Sequence, residues 1–143
     1  MTNKKITPRI FFTDDDEDDI SFFQEALKDL GNPAVVEIAK THDQLFKLLE
    51  EGPLPDFLFL DLNIPAIDGK EILQSVRQNK AYAEVKIIIY STSKRDVKSC
   101  YEAGADLYMI KPDTINGIAE MLKKILTEEC MKDRTALRKV IPD

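Results

Sequence analysis

The chain has 143 residues, of which 43% are apolar and 32% are charged, and its formal net charge at pH 7 is −6. This length suits one compact core, and the acidic balance argues against a nucleic-acid-binding surface, which needs a clustered basic excess. No apolar run approaches the ~20 residues of a membrane span, and the polar segment Met1–Pro8 does not resemble a secretory signal.

The cysteine content points to a reducing compartment. The chain contains only two cysteines, Cys100 and Cys130, and neither has a partner at the spacing of a metal site. Both are expected to be ordinary thiols, which predicts a cytoplasmic location. No repeat or low-complexity segment divides the chain, so a single domain is expected.

Short apolar runs alternate with longer amphipathic segments from the N-terminus onward. The run Arg9–Thr13 predicts a strand that stops at a block of acidic residues. Apolar residues at helical spacing over Asp18–Leu30 predict a helix that Gly31 ends. The β-branched segment Ala34–Ala39 predicts a second strand. A capping box at Thr41–Gln44 then predicts the start of a second helix.

The middle of the chain repeats this alternation. The continuous apolar run Phe57–Leu60 predicts a strand covered on both faces. The segment Asn63–Gly69, which contains Pro65, is predicted to be a loop. The apolar residues of Ile72–Val76 mark a third helix, and Val85–Tyr90 is predicted to be another buried strand.

The last part of the chain adds a helix, a strand and a final helix. Ser93 is predicted to cap a fourth helix that Gly104 closes. Leu107–Ile110 is predicted to be the fifth strand, and Ile118–Leu126 carries the apolar face of a fifth helix. Residues 129–143 form a tail, for which two interpretations stay open: a frayed end, or an extension of the last helix that caps the domain or contacts a second subunit.

Five predicted strands thus alternate with five predicted helices. Strands joined through helices are expected to run parallel, with right-handed crossovers and helices on both faces of the sheet. The predicted fold class is therefore a doubly wound α/β domain. In such folds, ligands bind beyond the carboxyl ends of the strands.

Residues that could carry chemistry follow these predicted strand ends: Asp14, Asp15, Asp61, Ser91 and Lys111. At about 4 Å and an effective dielectric near 20, each pair of carboxylates costs roughly 4 kcal/mol, so a proton or a cation must neutralise them. An all-oxygen site of this kind suits Mg²⁺. The acidic residues that follow, from Asp16 to Asp19, are expected to be solvated acids at a helix N-terminus.

Asp61 is the candidate nucleophile of this predicted site. A carboxylate can attack phosphorus and form an aspartyl phosphate. Phosphoryl transfer depends mainly on neutralising charge, so Lys111, the Ser91 hydroxyl and the cation are each expected to bind a phosphoryl oxygen.

Together the motifs resemble a known family. The matching segments, in chain order, are Ile10–Asp15, Phe59–Pro65 with Asp68–Gly69, Tyr90–Ser93 and Gly104–Pro112. They are similar to the receiver domain of two-component response regulators, over about residues 6–128. The resemblance implies a CheY-like, flavodoxin-like fold of three layers, with a five-stranded parallel sheet in the order 2-1-3-4-5.

The resemblance also implies a role for each residue of the metal site. By position, Asp61 matches the phosphoacceptor of the family and a metal ligand. Asp15 matches the direct ligand of Mg²⁺, and Asp14 matches an acid that acts through water. The backbone carbonyl of Asn63 matches a further metal ligand.

A second group of residues matches the part of the family that responds to phosphorylation. Ser91 matches the switch hydroxyl, Tyr108 the switch aromatic and Lys111 the lysine that contacts the phosphoryl group. Without the resemblance, Tyr108 would be read as an ordinary residue at the rim of the domain. Thr13 departs from the family at a buried position where an aliphatic residue is more usual.

The resemblance implies a non-enzymatic protein whose chemistry is limited to its own phosphorylation and dephosphorylation. The implied partners are a sensor histidine kinase or phosphotransfer protein and a downstream protein target, with neither nucleic acid nor membrane. A monomer or weak homodimer is expected, with no output domain after the tail. Phosphorylation is expected to change partner preference at the surface of the fourth helix, fifth strand and fifth helix.

Three alternative functions differ in the residues that they require. A phosphorelay intermediate that passes the group to another protein's histidine would share every site residue and stays open. A haloacid-dehalogenase-type phosphatase needs a second Asp two residues after the nucleophile, where this chain has Asn63. A flavodoxin-like cofactor binder needs a phosphate-cradling loop in place of the acids at Asp14–Asp19. His42, the only histidine, is expected on the surface with no phosphoryl role.

Overall fold

The computed structural model describes residues 7–31, 33–63 and 68–141. The part of the predicted loop that contains Pro65 lies outside these residues, as do position 6 and the last two positions of the tail. The strands are β1 (Arg9–Thr13), β2 (Val35–Ala39), β3 (Phe57–Leu60), β4 (Lys86–Ser91) and β5 (Leu107–Ile110). The α-helices are α1 (Glu17–Leu30), α2 (His42–Glu51), α3 (Gly69–Gln78), α4 (Val97–Glu102), α5 (Ile115–Ile125), α6 (Glu128–Lys132) and α7 (Arg134–Arg138).

The sheet has the predicted topology. All neighbouring strands pair in parallel, in the order β2-β1-β3-β4-β5. The predicted doubly wound fold and its strand order are therefore confirmed. The chain reverses its direction of winding at the neighbouring strands β1 and β3, so their carboxyl ends flank the position where such folds bind ligands.

Apolar side chains cover both faces of the sheet. One layer holds an aromatic cluster of Phe12, Phe23, Phe59 and Tyr90, in which the rings of Phe12 and Phe23 stack at 4.0 Å. Residues of α2, α3 and α4 form the other layer. Because β3 is buried on both sides, all of its residues are apolar.

The prediction that His42 lies on the surface was wrong. His42 is the first residue of α2 and is only 5% exposed. Thr41 is the N-cap, as predicted, and its side chain accepts from the backbone N–H of Gln44. His42 precedes the buried Leu45 by three residues, so it shares the helix face that packs against the sheet.

The predicted cap of the fourth helix was also wrong. Helix α4 begins only at Val97, and its N-cap residue Asp96 makes no side-chain capping bond. The Ser93 hydroxyl oxygen instead accepts from the N–H of Arg95, and its carbonyl accepts from the Tyr108 hydroxyl. Ser93 therefore stabilises the β4–α4 turn and is not available to begin a helix.

Gly69 belongs to α3 and not to the loop before it. Asp68 caps this helix by accepting from the N–H of Lys70. A Cβ atom on Gly69 would lie 2.6 Å from the backbone Cα of Leu62. The close approach of these two backbone segments explains why glycine stands at this position.

The tail does not extend α5, contrary to that interpretation. Leu126 leaves the helical conformation, with ψ at 63°, and Thr127 caps the separate helix α6 through the N–H of Cys130. Cys130 and Leu137 are buried against the core, so a frayed end does not describe the tail either. Among the described residues, none of the helices combines the length and the hydropathy that crossing a membrane would require.

Candidate functional site

Backbone hydrogen bonds hold the predicted site residues at the carboxyl edge of the sheet. The N–H of Asp14 donates to the Ala39 carbonyl at 3.1 Å, and the N–H of Asp61 donates to the Thr13 carbonyl at 3.2 Å. The N–H of Lys111 donates to the carbonyl of Ser91 at 2.8 Å. The sheet ladder thus continues one residue beyond the strands and fixes the backbone of Asp14, Asp61 and Lys111.

Three carboxylates predicted from the sequence meet at this edge. Oxygen atoms of Asp14, Asp15 and Asp61 all lie within 4.8 Å of one another. The side chains of Asp14 and Asp61 are buried, whereas Asp15 is exposed. Residues from the ends of β1 and β3 therefore form one acidic cluster, as the strand-end argument predicted.

Lys111 bridges this cluster. Its Nζ donates to Asp14 at 3.1 Å, to Asp61 at 3.3 Å and to Asp19 at 2.7 Å. Burial lowers the pKa of Lys111, but the hydrogen bond to Asp19 and the charges of Asp61 and Asp14 outweigh it, so the pKa lies above its ordinary value. The ammonium is therefore charged at neutral pH.

The pKa of Asp14 is raised in this environment. Burial raises its pKa from 3.8 to about 7, and the charge of Asp61 adds to that effect. The N–H of Asp16 and the ammonium of Lys111 act in the opposite direction. Lys111 alone thus does not compensate the negative charge of the cluster.

The cluster suits a divalent cation. It offers carboxylate oxygens from three residues, and hard oxygen ligands are those that Mg²⁺ prefers. A bound cation would also offset the repulsion that raises the pKa of Asp14. Asn63 is described and exposed, and its N–H donates to Asp61 Oδ1 at 2.9 Å. The predicted role of its carbonyl as a metal ligand stays a prediction.

The two predicted switch residues lie next to the same edge. Ser91 is fully buried at the end of β4, and its hydroxyl oxygen accepts from the N–H of Ser93 at 3.1 Å. Tyr108 is 4% exposed, so it is not a rim residue, and burial raises its pKa. Its hydroxyl donates to the Ser93 carbonyl at 2.5 Å, and its N–H donates to the Tyr101 hydroxyl at 2.9 Å.

The unusual Thr13 fits its buried position. Thr13 is 1% exposed, and its hydroxyl donates to the Phe59 carbonyl at 2.6 Å. A buried hydroxyl that is hydrogen-bonded carries little penalty. Thr13 is therefore compatible with its buried position beside Asp14.

Sequence reasoning missed two residues that contact Lys111. The sequence predicts that Asp19 is a solvated acid, yet Asp19 accepts the shortest of the three hydrogen bonds from Lys111. It lies three residues after the N-cap Asp16, and such a side chain points back toward the helix start, which was a usable signal. The Tyr90 ring centroid lies 5.3 Å from Lys111 Nζ, a cation–π contact that no sequence pattern indicated.

Comparisons with known proteins identify the family of this chain. A family model for the response regulator receiver domain matches residues 10–128. The response regulator Rcp1 of Synechocystis is 31% identical over 78 residues, which cover 53% of this chain and 53% of Rcp1. The chain thus spans about half the length of this curated relative.

Two solved structures share the fold and about a quarter of the sequence. The phosphorylated cyanobacterial phytochrome response regulator RcpA is 26% identical with a TM-score of 0.76, covering 87% of this chain and 93% of RcpA. The response regulator TrrA of Thermotoga maritima, crystallised with Mg²⁺-BeF, is 26% identical with a TM-score of 0.69. That match covers 84% of this chain and 100% of TrrA.

Proposed function

The chain belongs to the family of response regulator receiver domains, and on that premise we propose that it accepts a phosphoryl group on Asp61 and thereby switches its protein partners. The observation that carries this proposal is the contact of Asp61 with Lys111 at 3.3 Å, inside the cluster of Asp14, Asp15 and Asp61. A buried carboxylate beside a cation and other acids is an arrangement suited to phosphoryl transfer.

Asp61 acts as the nucleophile in this proposal. A carboxylate oxygen forms a bond to phosphorus while the bond from phosphorus to the donor's imidazole nitrogen breaks, and the imidazole then takes up a proton. The Lys111 ammonium neutralises negative charge on the transferred group. The Ser91 hydroxyl, at the end of the neighbouring strand β4, donates to a phosphoryl oxygen.

Asp14, Asp15, Asp61 and the Asn63 carbonyl are the proposed holders of Mg²⁺. When bound, the ion supplies charge neutralisation for the acids and the phosphoryl oxygens. TrrA, a relative of this chain by structure, was crystallised with Mg²⁺-BeF, and this supports the same cofactor here.

Ser91 and Tyr108 are the proposed switch. Tyr108 is already buried, and its hydroxyl donates a hydrogen bond to the carbonyl of Ser93. Ser93 lies two residues after Ser91 in the chain. A movement of the Ser91 hydroxyl toward a phosphoryl group would change the turn that holds Tyr108. Each 1.4 kcal/mol of differential binding shifts a ratio of two conformers about tenfold, so modest changes suffice.

The proposed donor is a sensor histidine kinase or phosphotransfer protein, and the proposed recipient of the signal is a protein target. The proposed location is the cytoplasm, which two buried and unpaired cysteines, Cys100 and Cys130, support. The chain acts as an acceptor whose own chemistry is limited to gaining and losing the phosphoryl group.

Incubation with acetyl phosphate and Mg²⁺ tests the proposal. The wild type should gain one phosphoryl group by intact-mass spectrometry, and chelation of Mg²⁺ should abolish the gain. The Asp61→Ala variant should not be labelled. A wild-type protein that folds and binds Mg²⁺ but takes no label would contradict the proposal.

A further inference from the structure

Lys111 is shared between two kinds of carboxylate. Its ammonium carries three N–H groups, and the described residues offer one carboxylate acceptor for each. Among those residues, Asp14 and Asp61 belong to the cluster that suits a cation, whereas Asp19 lies on the first turn of α1, outside that cluster. Asp19 is also the nearest acceptor, at 2.7 Å against 3.1 Å for Asp14 and 3.3 Å for Asp61.

Contacts within the chain hold Asp19 in place independently of Lys111. The side chain of Asp16 accepts from the N–H of Asp19 at 3.3 Å, and Asp14 Oδ1 accepts from the N–H of Asp16 at 3.0 Å. The next residue, Ile20, is buried in the core. The first turn of α1 is thus attached both to the core and to the end of β1, which fixes the position of the Asp19 backbone.

The ring of Tyr90 limits where the Lys111 ammonium can move. The ring centroid lies 5.3 Å from Lys111 Nζ, and Tyr90 belongs to the aromatic cluster of the core. The side chain of Lys111 is only 11% exposed. The ammonium is therefore confined between this ring and its three carboxylates, and Asp19 is the acceptor that remains when Asp14 and Asp61 bind another cation.

A cation in the cluster would compete with Lys111 for the same oxygen atoms. Asp14 and Asp61 would then each contact two positive charges, and those charges repel each other. The repulsion decreases if the ammonium moves toward an acceptor that the cation does not use. Asp19 offers such an acceptor, and a hydrogen bond between a carboxylate and an ammonium is stronger than one between neutral groups.

We propose that Asp19 is a positioning residue, which takes up the ammonium of Lys111 when Mg²⁺ binds the acidic cluster, so that both positive charges fit at one site. The inference concerns the cation affinity of the proposed phosphoryl acceptor and rests on that function. Asp19 acts on the cluster through Lys111. Removing the charge of Asp19 should leave the ammonium on Asp14 and Asp61, and should thereby weaken the binding of Mg²⁺.

Calorimetric titration of the metal-free chain with Mg²⁺ tests this role. Asp19→Asn should weaken Mg²⁺ binding about fivefold, within the range of coupling between residues in contact. Asp18→Asn is the matched control and should bind within about twofold of wild type. It makes the same change on the same helical turn, at an exposed residue that forms no ion pair within residues 7–31, 33–63 and 68–141. Asp19→Glu keeps the charge and should restore most of the affinity.

The Lys111→Gln variant removes the group through which Asp19 acts. In this background, Asp19→Asn and Asp18→Asn should bind Mg²⁺ with affinities that agree within about twofold. A difference that persists without Lys111 would overturn the inference, because Asp19 would then act on the cation directly. Equal losses in the two variants that retain Lys111 would also overturn it, as would an Asp19→Glu variant that binds as weakly as Asp19→Asn.

The rate of labelling by acetyl phosphate separates an effect on cation binding from a general structural defect. Asp19→Asn should raise the Mg²⁺ concentration for half-maximal labelling about fivefold, the same factor as its loss of affinity. At saturating Mg²⁺ its rate should return to within about threefold of wild type. A rate that saturating Mg²⁺ does not restore would overturn the inference.

The same measurements distinguish this inference from the proposed function. A wild-type chain that is labelled, with the same Mg²⁺ requirement in Asp19→Asn and Asp18→Asn, refutes the role of Asp19 and leaves the acceptor role of Asp61 intact. A wild-type chain that binds Mg²⁺ but is not labelled refutes the acceptor role. In that case, the expected differences in Mg²⁺ affinity would still support the role of Asp19.

Discussion

Lys111 Nζ lies 3.3 Å from Asp61 Oδ2, although the two residues are 50 positions apart in the chain. The same ammonium donates to Asp14 and Asp19, so one cation holds acids from the ends of β1 and β3 and from the first turn of α1. Asp14 and Asp61 are almost fully buried, and their charges need a compensating cation.

Lys111→Gln should therefore destabilise the metal-free protein. Removing one partner of a buried charge cluster typically costs about 3 kcal/mol, and added Mg²⁺ should restore a large part of that loss because it supplies positive charge at the same acids. Urea denaturation with and without Mg²⁺ measures both effects. The exposed Lys124→Gln is the control, and a loss that Mg²⁺ does not reduce would contradict the account.

His42 should make stability depend on pH. Burial lowers its pKa below 6.5, so the unfolded chain binds the proton more strongly than the folded one. The stabilisation is fully present above pH 6.5 and is lost as the pH falls through the lower folded-state value. Its Nε2 is buried without a hydrogen-bond partner among the described residues, so His42→Leu removes an unsatisfied group.

The His42 prediction is checked by thermal denaturation of both proteins from about pH 8 to about pH 5. Wild type should lose more stability than His42→Leu as the pH falls below 6.5. Asp14, whose pKa is about 7, also titrates in this range. Because both proteins contain Asp14, its effect on stability cancels when their curves are compared. Parallel curves would show that His42 is not buried as described.

Tyr108→Phe should cost about 1 kcal/mol of unfolding free energy, because it removes the hydroxyl that donates to the Ser93 carbonyl and keeps the ring. Tyr82→Phe is the matched control, since the hydroxyl of this buried tyrosine has no hydrogen-bond partner among the described residues. Equal effects of the two substitutions in urea denaturation would argue against the Tyr108 contact.

Leu137→Ala should lower the unfolding free energy by about 2 to 5 kcal/mol, the range for a fully buried leucine. The exposed Lys139→Ala, on the same tail, should change it by less than about 0.5 kcal/mol. A negligible effect of Leu137→Ala in chemical denaturation would mean that the tail does not pack on the domain in solution.

Local patterns in the sequence were sufficient to predict the sheet and most residues of the site. Continuous apolar runs such as Phe57–Leu60 occur because β3 is covered on both faces, and the parallel sheet then places Asp14, Asp61 and Lys111 at one edge. These predictions depend only on the identity of the strands and on their common direction, which alternation with helices determines.

What the sequence did not predict depends on contacts between distant segments. The direction of the tail after Leu126 follows from the burial of Leu137 and from the ion pair of Arg134 with Asp106, which periodicity cannot reveal. The role of Asp19 requires the position of Lys111, nearly the whole domain away in sequence. His42 differs, because its spacing from Leu45 already indicated the buried face of α2.

The position of the phosphoryl group is the most direct test of the account. After incubation of the wild-type chain with acetyl phosphate and Mg²⁺, peptide mapping should place one hydroxylamine-labile phosphoryl group on Asp61. The Asp61→Asn variant, which keeps the size of the side chain and removes its nucleophilic charge, should stay unlabelled under the same conditions. A hydroxylamine-labile group on Asp61→Asn, or one mapped to Asp14 or Asp15 in the wild type, would contradict the assignment of the acceptor.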